Sequence, residues 1–259
     1  MALTLYHNDM SVCAQKVRMA LAEKGLAHEA IHLNLRRGDQ LAPEYLKLNP
    51  NGVVPTLVHD DVVVIESIVI NEYLDDAFPD PPLKPADAAA RARMRWFTKY
   101  IDAAIFPATG TVSMSIAFHH QYTPEAVEEI TQKRGPAWRA RFENLRKGAG
   151  NPAFPDAIRR LDKMLADMEK ALSERGPWLA GRDFSLADIA YAPYVTRLDH
   201  LHFAAMIEAR PKAAAWYDRI RARPAYRDAL AKWFNEKYLP LMAEKGGEAW
   251  PQVKALLAA

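Results

Sequence analysis

The sequence predicts two domains, an α/β domain followed by an all-helical one (α/β plus all-α). Strand and helix signals alternate over the first 78 residues, whereas only helical spacing is found beyond residue 85. Residues 78–85 contain four prolines, which excludes a helix or a central strand there. We therefore expect domains over residues 1–78 and 86–259, joined by a stiff linker over residues 79–85.

The first domain is predicted to begin with a strand, a helix and a second strand. Residues 3–6 have the pattern of a short strand, and residues 12–24 have that of a helix that ends at Gly25. Residues 28–35 alternate in the manner of a second strand. We expect the two strands to pair in parallel through a right-handed crossover.

A short helix and a hairpin should complete this domain. Residues 41–48 have a helical pattern, and two apolar runs over residues 53–59 and 62–65 are separated by an aspartate pair, which is a hairpin signal. Residues 67–78 are again helical in spacing. The order strand, helix, strand, helix, strand, strand, helix predicts a thioredoxin-like domain.

The second domain is predicted to be all-helical. Helical spacing is found over residues 86–108, 124–147, 154–175, 185–200 and 212–221. Ser185 and Asp188 have the pattern of a reciprocal helix cap, and Phe184 is placed for the hydrophobic contact that accompanies it. This pattern is structural, so neither Ser185 nor Asp188 is expected to be catalytic.

Composition excludes several classes of function. Hydrophobic residues make up 50% of the chain and charged residues 25%, which is typical of globular proteins. No apolar run approaches the roughly 20 residues of a membrane helix. The net charge of +2 does not fit a non-specific nucleic-acid binder.

Metal binding and secretion are also not expected. A single cysteine, Cys13, excludes an intramolecular disulfide and a thiolate-rich zinc site. The histidine pairs at residues 28 and 32 and at residues 119 and 120 have no accompanying third ligand. No secretory signal follows Met1, so a cytoplasmic location is expected.

Four short segments carry a family resemblance, namely residues 11–18, 49–57, 65–67 and 184–188. In this order and at these spacings they resemble the glutathione transferase superfamily over nearly the whole chain. The resemblance implies that the first domain binds glutathione as a co-substrate. It implies that the second domain supplies a pocket for an apolar or aromatic electrophile, and that two chains form a homodimer.

The resemblance also assigns the glutathione-binding residues. It implies a cis bond at Val54-Pro55, so that the backbone of Val54 would pair with glutathione like an added strand. Glu66 and Ser67 should open a helix, where the N-terminal N–H groups and the helix dipole favour a carboxylate. Ser67 would add a hydroxyl donor and Glu66 would hold the ammonium group, although alone this pair is an ordinary helix start.

Three side chains compete for the role of activating the thiol. Ser11 lies just before the first helix, where its hydroxyl and the helix dipole would lower the pKa of a bound thiol, as the resemblance to serine-type members implies. Cys13 is the alternative, because cysteine-type members form mixed disulfides near this helix start. Tyr6 is the counterpart of the hydroxyl in tyrosine-type members. Ser11 is favoured, because the Cys13 sulfur should face the core.

Large apolar side chains after residue 95 are candidates for the wall of the electrophile pocket. They are Trp96, Tyr100, Phe106, Met114 and Phe118. Residues 119–155 look like an insertion that could roof this pocket through Tyr122, Trp138, Phe142 and Phe154. This insertion, the chain length and the helix over residues 94–100 resemble bacterial transferases that cleave β-aryl ethers of lignin-derived dimers.

The expected reaction is attack of the glutathione thiolate on an apolar or aromatic electrophile. Three alternatives stay open: glutathione-dependent β-aryl ether cleavage, thiol transfer through Cys13, and a binding protein of this fold without turnover. Ser11, Glu66 and Ser67 argue against the last of these. The sequence does not identify the electrophile.

Overall fold

A four-stranded sheet forms the centre of the first part of the chain. The computed structural model describes residues 2–258. Met1 and Ala259, at which the first predicted domain begins and the second ends, therefore lie outside the described residues. The strands are β1 (Leu3–His7), β2 (Glu29–His32), β3 (Thr56–His59) and β4 (Val62–Ile65). Their spatial order is β2-β1-β3-β4, with β1 parallel to β2 and antiparallel to β3. The predicted crossover, hairpin and thioredoxin-like order are confirmed.

Three helices accompany this sheet. They are α1 (Val12–Glu23), α2 (Pro43–Leu48) and α3 (Ser67–Ala77). Leu5 and Leu57 of the sheet and Val17 of α1 are fully buried in one core, so the apolar face of α1 holds the domain together.

Two strands are shorter than predicted, for local reasons. β2 ends at His32 rather than at residue 35, because the chain then turns and the backbone N–H of Asn34 donates to the Asp39 carboxylate at 2.7 Å. β3 begins at Thr56 rather than at residue 53. Pro55 precedes it and has no N–H to contribute to a ladder.

The proline-rich segment after α3 is irregular and is fixed by polar contacts. Lys24 is buried and its ammonium group donates to the carbonyl oxygens of Phe78 and Pro81 at 2.7 and 2.8 Å. The same group lies 2.7 Å from the Asp75 carboxylate, which also accepts the backbone N–H of Leu83. The segment is therefore tied to α1 and α3.

The rest of the described chain is helical. The helices are α4 (Ala88–Tyr100), α5 (Phe106–Ile116), α6 (Pro124–Arg134), α7 (Pro136–Leu145), α8 (Phe154–Arg175), α9 (Leu186–His200), α10 (Ala204–Glu208), α11 (Pro211–Arg221), α12 (Pro224–Ala229) and α13 (Tyr238–Ala258). Between the end of β4 and residue 258, the only strand-like pairing described is an isolated bridge between Trp178 and Gly181.

Two predicted helices are interrupted at prolines. The helix expected over residues 86–108 contains a π-helical turn, Ile101–Ile105, in which the N–H of Phe106 reaches back to the carbonyl of Ile101. Pro107 lacks the N–H that a continuous α-helix requires. The helix expected over residues 124–147 is broken at Gly135, whose φ is 84°, directly before Pro136.

Three helices are absent from the sequence-based prediction, namely α10, α12 and α13. The last is 21 residues long, but Gly246, Gly247 and Pro251 weaken its helical signal. α13 packs against α8, α5 and α9, so its helix is stabilised by tertiary contacts. Within residues 2–258, no helix combines the length and the apolar character that a membrane crossing requires.

Helix α1 joins the two parts of the molecule. It packs against α3 on one side and against α9 and α12 on the other. Arg18 of α1 is buried and donates from Nε to the carbonyl of Ala229 in α12 at 2.7 Å. Lys16 pairs with Asp102 at 3.1 Å. The start of α1 is thereby held where the sheet and the later helices meet.

Candidate active site

The predicted glutathione-binding residues meet at one end of the sheet. Tyr6 of β1 pairs with Thr56 of β3, and Thr56 pairs with Ile65 of β4. The segments that follow β1, precede β3 and follow β4 therefore leave the sheet at the same end. These segments carry Ser11, Val54, Glu66 and Ser67, which we call the sheet-end cluster.

Ser11 is the N-cap of α1. Its Oγ accepts a hydrogen bond from the backbone N–H of Ala14 at 3.3 Å. Because the cap uses a lone pair of the hydroxyl oxygen, the hydroxyl hydrogen is free to donate to a ligand. Ser11 is half-buried and lines a cavity with a mainly apolar surface at this end of the sheet.

The loop before Ser11 is held by two buried arginines. Arg18 donates to the carbonyl oxygens of Asn8 and Asp9, both at 2.9 Å, and Arg197 of α9 donates to the carbonyl oxygen of Met10. Burial lowers the pKa of each of these two guanidinium groups to about 9, so both remain cationic at neutral pH. They fix the backbone that presents the Ser11 hydroxyl.

The Asp9 carboxylate also supports this loop. Burial alone would raise its pKa, but hydrogen bonds from His32, Asn235 and the backbone N–H of Met10 lower the pKa to about 2. Asn235 lies just before α13 and donates to Asp9 at 2.9 Å. The C-terminal part of the chain thus contributes to the position of Ser11.

Cys13 and Tyr6 do not line the cavity beside Ser11. Cys13 is half-buried and packs against the core, next to Tyr194 of α9. Burial raises the pKa of Tyr194, and the neighbouring Cys13 raises it further. The ring of Tyr6 packs against that of Tyr45, with centroids 5.5 Å apart.

The Val54-Pro55 peptide bond is cis, as the resemblance implied. The turn before it is fixed at Val53, whose carbonyl oxygen accepts hydrogen bonds from the Tyr45 hydroxyl at 2.6 Å and from the Asn49 amide at 2.9 Å. The backbone N–H and C=O of Val54 have no partner among residues 2–258. They are available to an extended ligand.

Glu66 and Ser67 join β4 to α3. Glu66 adopts a φ of 68°, a region that non-glycine residues seldom occupy, and strain of this kind concentrates at functional sites. Ser67 is the first residue of α3 and is buried. Its backbone lies at the positive end of the helix dipole, where an anion is stabilised.

The cavity beside Ser11, which we call the acceptor cavity, encloses about 200 Å³. It is lined by Asn8, Met10, Ser11, Val12, Leu35, Arg36, Phe106, Thr109, Gly110, Ser113, Met114, Phe118, Tyr122 and Arg197. The surface that these residues present to the cavity is mainly apolar, so the cavity suits an apolar or aromatic ligand.

Three of the five predicted wall residues line the acceptor cavity, namely Phe106, Met114 and Phe118. The other two do not. Trp96 is 54% exposed on the outer face of α4, and Tyr100 stacks on it with ring centroids 5.5 Å apart. The prediction was wrong for these two residues because a helical repeat does not reveal which face looks into a cavity.

The predicted insertion covers the cavity with one of its four aromatic residues. Tyr122 lines the cavity, whereas Phe154 is fully buried in the core. Trp138 stacks on the buried Phe142 with centroids 5.2 Å apart, away from the cavity. The insertion also contacts the first domain, because Arg134 donates to the carbonyl of Gly52 at 2.5 Å.

The sequence analysis missed nine of the fourteen cavity residues, among them the two charged ones, Arg36 and Arg197. Arg36 lies in the turn after β2 and Arg197 in the middle of α9, and neither belongs to a recognisable motif. Each arginine is itself buried and is adjacent in sequence to a leucine, Leu35 or Leu198.

Ser185 and Asp188 form the predicted reciprocal cap of α9. The Asp188 carboxylate accepts hydrogen bonds from the backbone N–H groups of Ser185 and Leu179, both at 3.0 Å, and from the Trp216 indole at 2.8 Å. Burial raises the pKa of Asp188 to about 6. Phe184 packs against Trp178 and the Arg223 guanidinium, so this region is structural.

The histidines serve local contacts. His32 lies 3.5 Å from the Asp9 carboxylate, and His119 contacts the carbonyl of Met114 at 2.7 Å. Among residues 2–258, no group of three or more metal-binding side chains is found.

Comparison with known proteins supports the resemblance. Residues 10–77 match the family model of the glutathione S-transferase N-terminal domain, and residues 136–219 match that of the C-terminal domain. The chain is 32% identical to Protein LigF of Sphingobium sp., over 95% of this chain and 99% of that protein. It is 32% identical to glutathione S-transferase Z2 of Arabidopsis thaliana, over 88% of this chain and 90% of that protein.

A solved structure gives the same result. The crystal structure of the beta-etherase LigF from Sphingobium sp. superposes with a TM-score of 0.79 at 31% identity, covering 90% of this chain and 100% of that one. Both the sheet-containing part and the helical part are included in this match. The chain therefore belongs to the glutathione transferase superfamily.

Proposed function

We propose that the sheet-end cluster binds glutathione and that Ser11 activates its thiol for attack on an electrophile in the acceptor cavity. The observation that carries this proposal is the strand register, which brings the sheet-end cluster, namely Ser11, Val54, Glu66 and Ser67, to one end of the sheet. Residues 1–78 then form the glutathione-binding domain, residues 79–85 the linker, and residues 86–259 the domain that supplies most of the acceptor cavity.

Each member of the sheet-end cluster has a separate task. The unpaired backbone groups of Val54, ahead of Pro55, pair with the cysteinyl part of glutathione, as an added strand would. The N-terminus of α3 and the Ser67 hydroxyl hold the α-carboxylate, while the exposed Glu66 carboxylate holds the ammonium group. A zwitterion thus meets groups of both signs.

Ser11 acts on the sulfur. Its free hydroxyl hydrogen donates to the thiolate, and the N-terminus of α1 adds a favourable dipole, so the pKa of the bound thiol falls. The thiolate sulfur then forms a bond to an electrophilic carbon, the leaving group departs with the electron pair of the broken bond, and the thiol proton goes to solvent. No metal is required for this step.

Cleavage of a β-aryl ether is a second candidate, with an aryloxide as the leaving group. The observation that favours it is the 32% identity to Protein LigF over 95% of the chain, whose solved structure is described as that of a beta-etherase. A substrate panel that contains aryl ethers and chlorinated nitroaromatics decides between ether cleavage and general conjugation.

Calorimetric titration with glutathione tests the proposal. Ser67→Ala should weaken binding by about tenfold or more, because a hydrogen bond to a charged group contributes about 1.5 to 3 kcal/mol. Ser173→Ala, an exposed serine near the end of α8, is the control and should bind as the wild type does. If the wild type does not bind glutathione at millimolar concentration, the proposal fails and a binding protein without turnover is the better description.

We propose further that the protein is a cytoplasmic homodimer. Four large apolar residues are exposed on neighbouring elements, Val62 and Val63 of β4, Val69 of α3 and Trp96 of α4, each between 42% and 54% exposed. α3 and α4 are joined by the Glu72–Arg95 ion pair, so Val69, Trp96 and one of the two valines can form one contact face, since consecutive strand residues point to opposite faces of the sheet. Sedimentation at micromolar concentration that gives only a species of 29.1 kDa would contradict the dimer.

A further inference from the structure

The acceptor cavity has an unbalanced charge. Among its lining residues only Arg36 and Arg197 carry a formal charge, and both are cationic. Arg197 also lies close enough to Arg36 for the two charges to repel, and this repulsion adds to burial in lowering the pKa of Arg197. Buried charges in proteins are normally paired with an opposite charge. The Asp9 carboxylate partly balances Arg197, but no acidic side chain lines the cavity itself.

Arg197 has a structural use for its hydrogen bonds. Its Nη1 donates to the Ser113 hydroxyl at 3.2 Å and its Nη2 to the carbonyl of Met10. The guanidinium lies over the ring of Phe118, 4.7 Å from its centroid. Arg197 is thus committed to holding the loop before Ser11, and it contributes only its positive charge to a ligand.

The guanidinium of Arg36, by contrast, is only partly used in hydrogen bonds. Arg36 is 9% exposed, and its Nε donates to the Gln121 amide oxygen at 2.7 Å. The guanidinium lies 4.7 Å from the centroid of Phe118 and 5.3 Å from that of Tyr238. Its Nη2 is buried without a hydrogen-bond partner among residues 2–258.

The remaining walls fit one aromatic ring. Phe106, Met114, Phe118 and Tyr122 line the cavity, and its volume of about 200 Å³ exceeds the roughly 150 Å³ that suffices for benzene in an apolar site. The buried hydroxyl of Thr109 also lacks a partner. Val54, Glu66 and Ser67 do not line this cavity, so its cations are separate from the residues proposed for the glutathione zwitterion.

We infer that the acceptor cavity takes an aromatic electrophile that carries an anionic oxygen substituent, and that Arg36 is the residue that binds this substituent. The inference rests on the proposed function, because it names the class of acceptor for the same site. A guanidinium with an unused donor forms a strong charge-assisted hydrogen bond to a carboxylate or phenolate oxygen. The aromatic walls then place the ring beside Ser11.

A matched pair of acceptors tests the inference, 4-chloro-3-nitrobenzoate and 4-chloro-3-nitrobenzamide. With either, the glutathione sulfur forms a bond to the ring carbon that bears chlorine, chloride leaves with the electron pair, and the thiol proton goes to solvent. Rates are divided by those of the uncatalysed reaction, so that the different reactivities of the two rings cancel. Calorimetry with the same compounds without glutathione measures acceptor binding independently of turnover.

The wild type should bind the benzoate about tenfold more tightly than the amide and should prefer it in normalised kcat/KM by a similar factor. Arg36→Gln should remove this preference, and Arg36→Lys should retain part of it. Arg37→Gln is the control, because Arg37 is exposed and outside the cavity, and it should leave the preference intact. Circular dichroism checks that each variant is folded.

Equal binding of the two compounds by the wild type would overturn the inference. So would an Arg36→Gln variant that keeps the preference and instead raises the KM for glutathione, since Arg36 would then bind a carboxylate of the tripeptide. If glutathione itself does not bind, the proposed function fails, and the calorimetric comparison of the two acceptors still decides the inference.

Discussion

The sheet-end cluster and the acceptor cavity are built in different ways. The cluster consists of residues next to strand ends, and backbone geometry does much of its work: a cis bond at Val54-Pro55, a positive φ at Glu66 and two helix N-termini. The cavity consists of side chains from the loop before α1 and the start of α1, the turn after β2, α5, the segment after α5 that contains Phe118 and Tyr122, and α9. One site is set by local sequence and the other by how distant helices pack.

This difference has a consequence for specificity. Recognition of a tripeptide largely through backbone groups requires that the strand ends keep their positions. Among side chains it depends on Ser11, Glu66 and Ser67, so the other side chains around the cluster are free to change. The acceptor cavity depends on individual side chains such as Phe106, Tyr122 and Arg36. Under the proposed function, substitution there should change which electrophile fits and leave glutathione binding unchanged, in agreement with the general rule that sites vary on a constant fold.

The largest effect on stability is expected from substitution of Gly246, where α13 approaches the turn after α9. A Cβ atom at this position would lie 1.8 Å from the carbonyl oxygen of Leu201, so Gly246→Ala must displace the helix or the turn. We expect a loss of about 3 kcal/mol or more, which corresponds to a decrease in Tm of roughly 6–12 °C for a chain of this size. Differential scanning calorimetry measures it.

The neighbouring glycine supplies the control. A Cβ at Gly247 meets nothing within 4 Å, so Gly247→Ala should stabilise the helix by about 0.5–1 kcal/mol. Because Tyr238 of α13 lies over Arg36, Gly246→Ala should also raise the KM for the acceptor and leave that for glutathione unchanged. An equal rise in the KM values for the acceptor and for glutathione would show that the two sites are not independent.

The sequence predicted the sheet-end cluster better than the cavity, for the same physical reason. The motif around Val54-Pro55 and the pair Glu66 and Ser67 lie directly next to predicted strands. Their positions at strand ends therefore followed from the element order. Arg36 and Arg197 are 161 positions apart and meet only through packing. The sequence also could not reveal α13, because its stability comes from contacts with α8, α5 and α9.

Ser11 is where the two sites meet, and its substitution should have the second largest effect. Loss of a hydrogen bond to a thiolate costs about 1.5–3 kcal/mol, so Ser11→Ala should raise the kinetic pKa of conjugation by about one to two units. Turnover near neutral pH should fall by roughly tenfold to a hundredfold, while glutathione binding changes little. A pH profile of kcat/KM measures both changes.

Cys13→Ala is the matched comparison, two residues further along α1. Because Cys13 faces Tyr194 rather than the cavity, this variant should be nearly silent apart from a small packing cost. The opposite pattern, with activity lost in Cys13→Ala, ping-pong kinetics and a mass increase equal to bound glutathione, would assign thiol transfer to Cys13. Full activity in both variants would move the role to Tyr6 or to backbone N–H groups.

The smallest effect on stability is expected at His7 of β1, which contacts Trp233 of the C-terminal segment with ring centroids 4.6 Å apart. Burial, reinforced by Arg18, lowers the pKa of His7 to about 3. Below pH 6.5 the unfolded chain therefore takes up a proton that the folded protein does not, and stability falls as the pH falls. The slope from this one group is at most about 1.4 kcal/mol per pH unit.

Asp188 acts in the opposite direction, because burial raises its pKa to about 6. The contribution of Asp188 to the free energy of unfolding is complete below pH 3.8 and is lost as the pH rises through 6. The two effects partly cancel in the wild type, so a variant must separate them. His7→Asn keeps an acceptor for the Arg18 guanidinium, which lies 3.0 Å from Nδ1, and removes the titrating ring.

Urea unfolding at pH 6 and pH 5 measures the difference. The wild type should lose up to about 1.4 kcal/mol more than His7→Asn between these two values, whatever the fixed cost of losing the contact with Trp233. His202→Asn is the control, since His202 is exposed and its φ of 57° suits asparagine. If the stability of His7→Asn has the same pH slope as that of the wild type, the contact between β1 and the C-terminal segment admits a charged imidazole, and burial does not hold the pKa of His7 low.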